Sequence, residues 1–322
     1  PLLLHAPPFA RPFRLMPQKK AGGSASDAGA AQSGQGCHSQ GKKNGKGVKK
    51  DHGSGAEGGG GAGIKGREGA KREVKGTDDQ GRWFESHEAL KQMQDQSAQE
   101  WYAANREWWA EGGYGGSTDE EAMIGDELGQ LDAEEGLKFL RELISDYAWF
   151  NPRSAVDAGA GVGRMTKHCL LRVCETVNLI EADSGWLRRA KVYLGKKRAA
   201  KCTFTCARLD ELQALEAATV DLVWIQWTLQ YLTDTHAVSA LEALRAGLTS
   251  SGVMVIKENR PYGGQREDRF HMETPSGEQG RYDITRPLAH HELLFQLAGL
   301  RLLRCEEGVE THTFALTHWN ES

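Results

Sequence analysis

The string DAGAGVGR, residues 157–164, decides the fold of this chain. It closes a strand-like run at 154–158 and opens an amphipathic stretch at 165–173. Gly159, Gly161 and Gly163 let the backbone turn tightly and let a ligand approach the main chain closely. Strand, glycine turn and helix in that order place a nucleotide-like ligand at the carboxyl end of a sheet. Outward from this turn, strands are expected at 177–182, 203–207, 220–226, 253–258, 300–306 and 311–316, with helical stretches at 186–194, 237–248 and 288–297. Connections of that length make right-handed crossovers, so the fold class is α/β, with a doubly wound, mainly parallel sheet. The last two strands lie too close for a helix between them, so one is expected to run antiparallel.

The spacing of the glycines also selects the ligand. A dinucleotide fingerprint reads GxGxxG, whereas this turn reads GxGxG with Asp157 two positions before the first glycine. S-adenosylmethionine has no pyrophosphate to seat on a helix amino terminus; it has an amino acid end and a sulfonium. An acid and Arg164 beside the turn suit that zwitterionic end. Glu181 ends the second strand, where a carboxylate can accept both ribose hydroxyls. The alternative is a tight turn that holds no ligand.

Composition divides the chain. The segment 22–80 is Gly, Ser, Ala and Lys with a basic cluster at 42–50; it cannot offset its ordering entropy, and residues 1–80 are expected to form a disordered tail. The lysines fit a nuclear-import signal or a plain solvated charge run. The first fifteen residues, Arg-containing and free of acids, read either as part of a transit peptide or as sequence upstream of a start at Met16. Residues 81–150 read as a helical, substrate-side extension carrying Trp101, Tyr102, Trp108 and Trp109. Within it Asp132 and Glu135 form a capping box ahead of Leu137, Leu140 and Leu143. Residues 151–322 hold the sheet. The net charge of −4 favours neither nucleic acid nor an acidic ligand. The six cysteines lack zinc-site spacing and read as reduced, intracellular usage, and no metal is expected. No apolar run is long enough to span a bilayer.

Two further strings, WIQWTLQYLTD (224–234) and VIKEN (255–259), are unusual. Together with DAGAGVGR they resemble the eukaryotic protein N-terminal methyltransferases, class I S-adenosylmethionine-dependent enzymes that act on exposed Xaa-Pro-Lys/Arg termini. The resemblance runs from about 101 to 316. It implies a Rossmann-like methyltransferase sheet, S-adenosylmethionine as cofactor and methyl transfer to the α-amine of protein N-termini, in a monomer of the cytoplasm or nucleus. It also implies that Gly159, Arg164, Glu181 and Gln226 contact the methyl donor, that Leu209 and Asp210 lie at the adenine, and that Asn259 and Trp227 face the substrate. WYAANREWW (101–109) is similar to the family's aromatic pair and places Trp108 and Trp109 over the site.

The chain departs from the family pattern in three places. Tyr231 stands where a histidine is usual. The family's GGYG string does not follow Met123 and Ile124, although Gly112, Gly113, Tyr114 and Gly115 lie just upstream. The acidic string before the family's VTR or VCR is replaced by an insertion, 262–282, which leaves Asp283 as the nearest carboxylate.

Methyl transfer to an amine is an in-line displacement, so the protein supplies orientation and a neutral nucleophile. An α-amine, with a pKa of roughly 8, must first lose a proton, and a carboxylate in reach is the natural acceptor. Asp283 is the candidate, with Glu278 and Glu273 as substitutes; its bland reading is a helix or turn cap. Tyr231 is placed to hold the amine, and Trp109 and Trp227 to enclose it, ring against cation. Three rival readings stand beside this one: a methyltransferase for another amine acceptor, a catalytically silent S-adenosylmethionine-binding partner, and a dinucleotide oxidoreductase.

Overall fold

A computed structural model describes residues 73–115, 118–124, 129–262, 264–277, 279–308 and 310–318. The basic cluster at 42–50, the rest of the tail to residue 72, and Glu278 lie outside the described residues. The central sheet is built from β3 (Ser154–Ala158), β4 (Thr176–Glu181), β5 (Cys202–Cys206), β6 (Val220–Gln226), β7 (Leu248–Asn259), β10 (Leu300–Glu307) and β11 (Thr311–His318). Its order is β10-β11-β7-β6-β3-β4-β5. Every pairing from β5 to β7 is parallel, and β11 runs against both of its neighbours. The expected doubly wound sheet with an antiparallel last strand is therefore present.

The central strands read as continuous apolar runs because both faces are covered. Successive residues alternate between the two faces. Val156, Val223, Ile225 and Ile256 face α6 (Asp234–Ala246) and α7 (Leu288–Leu297), whereas Ala155, Leu222, Trp224 and Val255 face α3 (Gly129–Asp146) and α5 (Ser184–Ala199). The helix expected at 165–173 is short: α4 (Arg164–His168) gives way to a 3-10 turn at Leu170–Arg172. Strand β7 is longer than its apolar stretch because it begins at Leu248, where α6 was expected to end.

The amino-terminal extension is not wholly helical, and order begins before residue 81. Strands β1 (Gly76–Asp78) and β2 (Trp83–Phe84) join β8 (Phe270–Glu273) and β9 (Asp283–Thr285) in a second sheet of order β2-β1-β8-β9. Gly76 is obligatory there: a Cβ would lie 2.2 Å from the Phe270 carbonyl oxygen. Two of these strands come from the insertion and its border, so Asp283 sits in a strand and not in a cap. Asp132, read as a helix cap, lies inside α3.

A buried ionic latch joins the two sheets. Asp234 Oδ1 accepts from Arg286 Nε at 3.0 Å and Nη2 at 2.8 Å, and its Oδ2 lies 2.6 Å from His290 Nε2 and 3.0 Å from His87 Nε2. Arg286 is fully buried at the end of β9 and also donates to the carbonyls of Leu229 and Leu232. His87 begins α1 (His87–Ala110), so one carboxylate ties together the arm, the insertion border and α6. Burial alone would raise the Asp234 pKa, but His290 and Arg286 outweigh it and hold the group well below the usual carboxylate range. Its stabilisation is therefore present above the ordinary aspartate pKa and is lost as pH falls through the depressed value. Replacing Asp234 with Asn leaves Arg286 buried without a carboxylate, and urea denaturation at pH 7 is expected to show a loss of about 3–5 kcal/mol; a change under about 1 kcal/mol would remove the latch from the fold's energetics.

Candidate active site

The glycine turn follows β3 at the carboxyl edge of the sheet. Gly159, Gly161 and Gly163 have φ of 76°, 53° and 77°, the left-handed region that only glycine adopts freely. Side chains at these positions would also collide: a Cβ on Gly159 would lie 2.3 Å from Thr228 Oγ1, and one on Gly161 2.4 Å from Met123 Sδ. Met123 belongs to α2 (Asp119–Ile124), which lies across the turn. Asp157, placed by the sequence beside the donor's amino acid end, turns inward instead. It accepts from the Thr166 hydroxyl at 2.6 Å and the Thr166 amide at 3.1 Å, and so fixes the start of α4. Burial pushes its pKa up to about 6 against those two bonds.

Glu181 ends β4 where the sequence placed it. Its Oε2 accepts from the Gly161 amide at 2.9 Å and its Oε1 from the Asp183 amide at 3.0 Å. A carboxylate offers about four acceptor positions, so Glu181 keeps capacity for a ribose hydroxyl while its amide bonds hold the turn in shape. Desolvation raises the Glu181 pKa, opposed by the Asp183, Gly161 and Ala182 amides. Leu209 and Asp210 form the 3-10 turn after β5, with Leu209 buried and Asp210 ion-paired to Arg208.

Under the crevice lies a charge cluster centred on Asp132. Its Oδ2 accepts from Arg164 Nη1 at 2.6 Å and from Gln226 Nε2 at 2.7 Å, and its Oδ1 accepts from Lys257 Nζ. Gln226 is in turn held by the Trp224 indole N–H at 3.2 Å. Both ends of its side chain are engaged, so in this structure Gln226 orients the cluster. Burial raises the Asp132 pKa, but Arg164 and Lys257 together overcome it and the carboxyl is held low. Sequence reading took Asp132 for a helix cap and passed over Lys257, whose signal was a lysine directly after the apolar run VMVI (253–256).

At the end of β6, Trp227 adopts φ 51°, a strained conformation for a bulky side chain. Its amide donates to the Lys257 carbonyl at 3.0 Å, and the Thr228 and Leu229 amides both donate to Glu258 Oε1 at 2.8 Å. Glu258 is thus a positioning residue for this turn. The Trp227 indole N–H is buried with no partner among the described residues, and its ring lies 5.3 Å from the Arg164 guanidinium. The glycine cradle, the Glu181 carboxylate and the orphaned indole donor are chemistry that S-adenosylmethionine fits.

The acceptor side is aromatic. The Trp109 and Tyr231 rings meet edge to face at 5.6 Å, Trp108 packs on Trp109 at 4.6 Å and on Tyr114 at 4.9 Å. The Tyr231 carbonyl accepts from the Trp101 indole at 2.7 Å and from Asn105 Nδ2 at 3.3 Å, so α1 pins this turn to the sheet. Asn105 Oδ1 also accepts from the Tyr282 amide at 2.9 Å, which sets Asp283 beside the aromatic group. Asp283 is paired with Arg281 Nη2 at 2.8 Å. Burial raises its pKa against the pull of Arg281 and His271. The Tyr231 phenol is raised well above its usual value by burial and by Tyr114, so it stays protonated. Asn259 donates to Gln230 Oε1 at 3.0 Å, bracing the same turn. Tyr114 and Arg281 were not among the expected site residues; the glycines around Tyr114 were the only signal.

This sheet and crevice define the class of S-adenosylmethionine-dependent methyltransferases. A solved SAM-dependent methyltransferase from Leishmania major superposes with a TM-score of 0.63 at 25% identity, covering 78% of this chain and 100% of that one. Residues 96–312 match the family of AdoMet dependent proline di-methyltransferases, and the chain belongs to that family. S-adenosylmethionine is accordingly the cofactor of the crevice. The chain is 33% identical over 138 residues to N-terminal Xaa-Pro-Lys N-methyltransferase 1 of Danio rerio, covering 42% of this chain and 61% of that protein. To N-terminal Xaa-Pro-Lys N-methyltransferase 1-B of Xenopus laevis it is 34% identical over 133 residues, covering 41% and 59%. The match thus spans about three-fifths of the length of these relatives.

Two measurements probe the site. Glu181→Ala removes the ribose acceptor and the brace on Gly161, and calorimetry is expected to show S-adenosylhomocysteine binding at least about tenfold weaker, from the loss of hydrogen bonds to a charged group worth about 1.5–3 kcal/mol each. Burial pushes the Glu258 pKa up to about 7, opposed by the Thr228 and Leu229 amides. A raised acid pKa contributes stability that is full below the unfolded value and lost as pH rises through the folded one. The urea midpoint of the wild type is therefore expected to fall between pH 5 and 8 more steeply than that of Glu258→Gln; parallel profiles would contradict the assignment.

Proposed function

We propose that the chain transfers methyl groups from S-adenosylmethionine to the α-amino group of protein N-termini of the Xaa-Pro-Lys/Arg type. The observation that carries this reading is a buried carboxylate, Asp283, paired with the cation, Arg281, that the cluster of Trp108, Tyr114 and Tyr231 surrounds, with Trp109 packed on the same cluster. Aromatic faces hold a partly desolvated cation at about 1 kcal/mol or more each, and the carboxylate takes its proton. The names of the Danio rerio and Xenopus laevis relatives point to the same acceptor.

S-adenosylmethionine supplies an electrophilic methyl group on a sulfonium and leaves as neutral S-adenosylhomocysteine. The α-ammonium enters between the rings and gives one proton to Asp283, whose raised pKa suits it as acceptor. The freed nitrogen lone pair is left for the methyl group that a bound donor would supply, the donor's sulfur keeping the electron pair of the C–S bond it would give up. Tyr231, held protonated, donates a hydrogen bond and does not act as the base. Trp227 walls the donor from the acceptor side, and Asn259 and Gln230 keep the Tyr231 turn in place.

The test is methyl transfer from labelled donor to a peptide beginning Ser-Pro-Lys, compared with the same peptide carrying a blocked amine. Label is expected only on the free amine, and equal labelling of both would sink the α-amine assignment. Within the same assay Asp283→Asn is expected to lower kcat by about 10²–10⁴-fold, whereas Tyr231→Phe retains most of it.

A further inference from the structure

The aromatic enclosure holds a cation of the chain's own. Arg281 is 4% exposed. Its guanidinium carbon lies 4.5 Å from the Trp108 ring centre, 5.3 Å from Tyr114 and 5.7 Å from Tyr231. Nη2 donates to Asp283 Oδ2 at 2.8 Å and to the Tyr114 hydroxyl at 3.1 Å, and Nη1 donates to Gln279 Oε1 at 2.8 Å. Ring faces plus one carboxylate are what an incoming ammonium requires, and here a guanidinium satisfies them first.

We propose that Arg281 is a built-in occupant of the amine site, and that the cationic terminus of a substrate displaces it and takes over Asp283. The inference rests on the amine-acceptor reading above and adds the competitor that any substrate meets. Three features fit displacement better than a permanent structural pair. Arg281 Nε is buried without a partner among the described residues, so the resident cation is incompletely satisfied there. Tyr114, the outer wall, is 40% exposed. It stands on a turn in which Gly112, Gly113 and Gly115 all have positive φ, a backbone whose glycines permit rearrangement at small steric cost. The segment that carries Arg281 reaches the site from outside the methyltransferase sheet, between β8 and β9. The box therefore selects for a cation able to outcompete a guanidinium, and Arg281 sets the substrate affinity.

The test uses the full chain saturated with S-adenosylhomocysteine. Binding of a Ser-Pro-Lys peptide and of guanidinium chloride is followed by tryptophan fluorescence in the wild type, Arg281→Met and Arg281→Lys. Arg281→Met keeps the apolar stem and empties the box of charge. It is expected to bind the peptide about tenfold or more tightly and to bind guanidinium in competition with it, whereas Arg281→Lys stays close to wild type and neither of these two competes with guanidinium. Retained S-adenosylhomocysteine affinity verifies that each variant is folded. Peptide binding that is unchanged or weaker in folded Arg281→Met overturns the proposal and makes Arg281 a support for the site. Competition by guanidinium in the variant, together with equal methylation of free and blocked peptides by the wild type, would reject the α-amine function and keep the occupant.

Discussion

One carboxylate, Asp132, holds the donor crevice together. It is buried beneath the carboxyl edge of the sheet and receives hydrogen bonds from Arg164, Gln226 and Lys257, which belong to α4, β6 and β7. In a poorly hydrated setting a charge persists only with partners, so none of the four side chains can move independently. Two cations share this carboxylate, and Lys257 also pairs with Glu135 at 3.3 Å, a contact at the exposed rim of the cluster.

The acceptor half is organised around a single turn, from Trp227 to Tyr231. Its strained start is held by Glu258 from β7, its middle by Arg286 just after β9, and the Tyr231 carbonyl at its end by Trp101 and Asn105 from α1. Backbone strain of about 1–3 kcal/mol survives only when the surroundings over-determine it. Here three separate elements do so, and one of them, α1, also carries Trp108 and Trp109 of the aromatic cluster. Donor and acceptor halves meet where the Arg164 guanidinium approaches the Trp227 ring. The small sheet positions Asp283, which begins β9, and Arg281 just before it, by pairing β9 with β8 and β8 with β1.

Local patterns made much of this legible. The parallel strands show as apolar runs because both of their faces are buried, and the glycine turn shows because only glycine tolerates φ near 76° at Gly159. Glu181 ends β4 as its strand pattern predicts, and Trp109 lies in the helix its aromatic spacing predicts. What stayed hidden depends on distant partners. Asp132 has the local pattern of a helix cap, and only Arg164 and Lys257, 32 and 125 residues away, make it a charge hub. Strand β1 pairs with β8 across nearly two hundred residues, and a three-residue strand carries no readable periodicity. Arg281 looks like any loop arginine until Trp108, Tyr114 and Tyr231 close around it.

The most direct measurement is a crystal structure of the full chain grown with S-adenosylhomocysteine and a free-amine Ser-Pro-Lys peptide. The expected result is a ligand lying along Gly159–Gly163 with both ribose hydroxyls bonded to Glu181, and the peptide nitrogen between the Tyr231 ring and the ligand's sulfur with Asp283 in reach. An empty crevice, or a nucleoside bound elsewhere with Glu181 turned from it, would contradict the reading of this chain as a methyl-transferring enzyme.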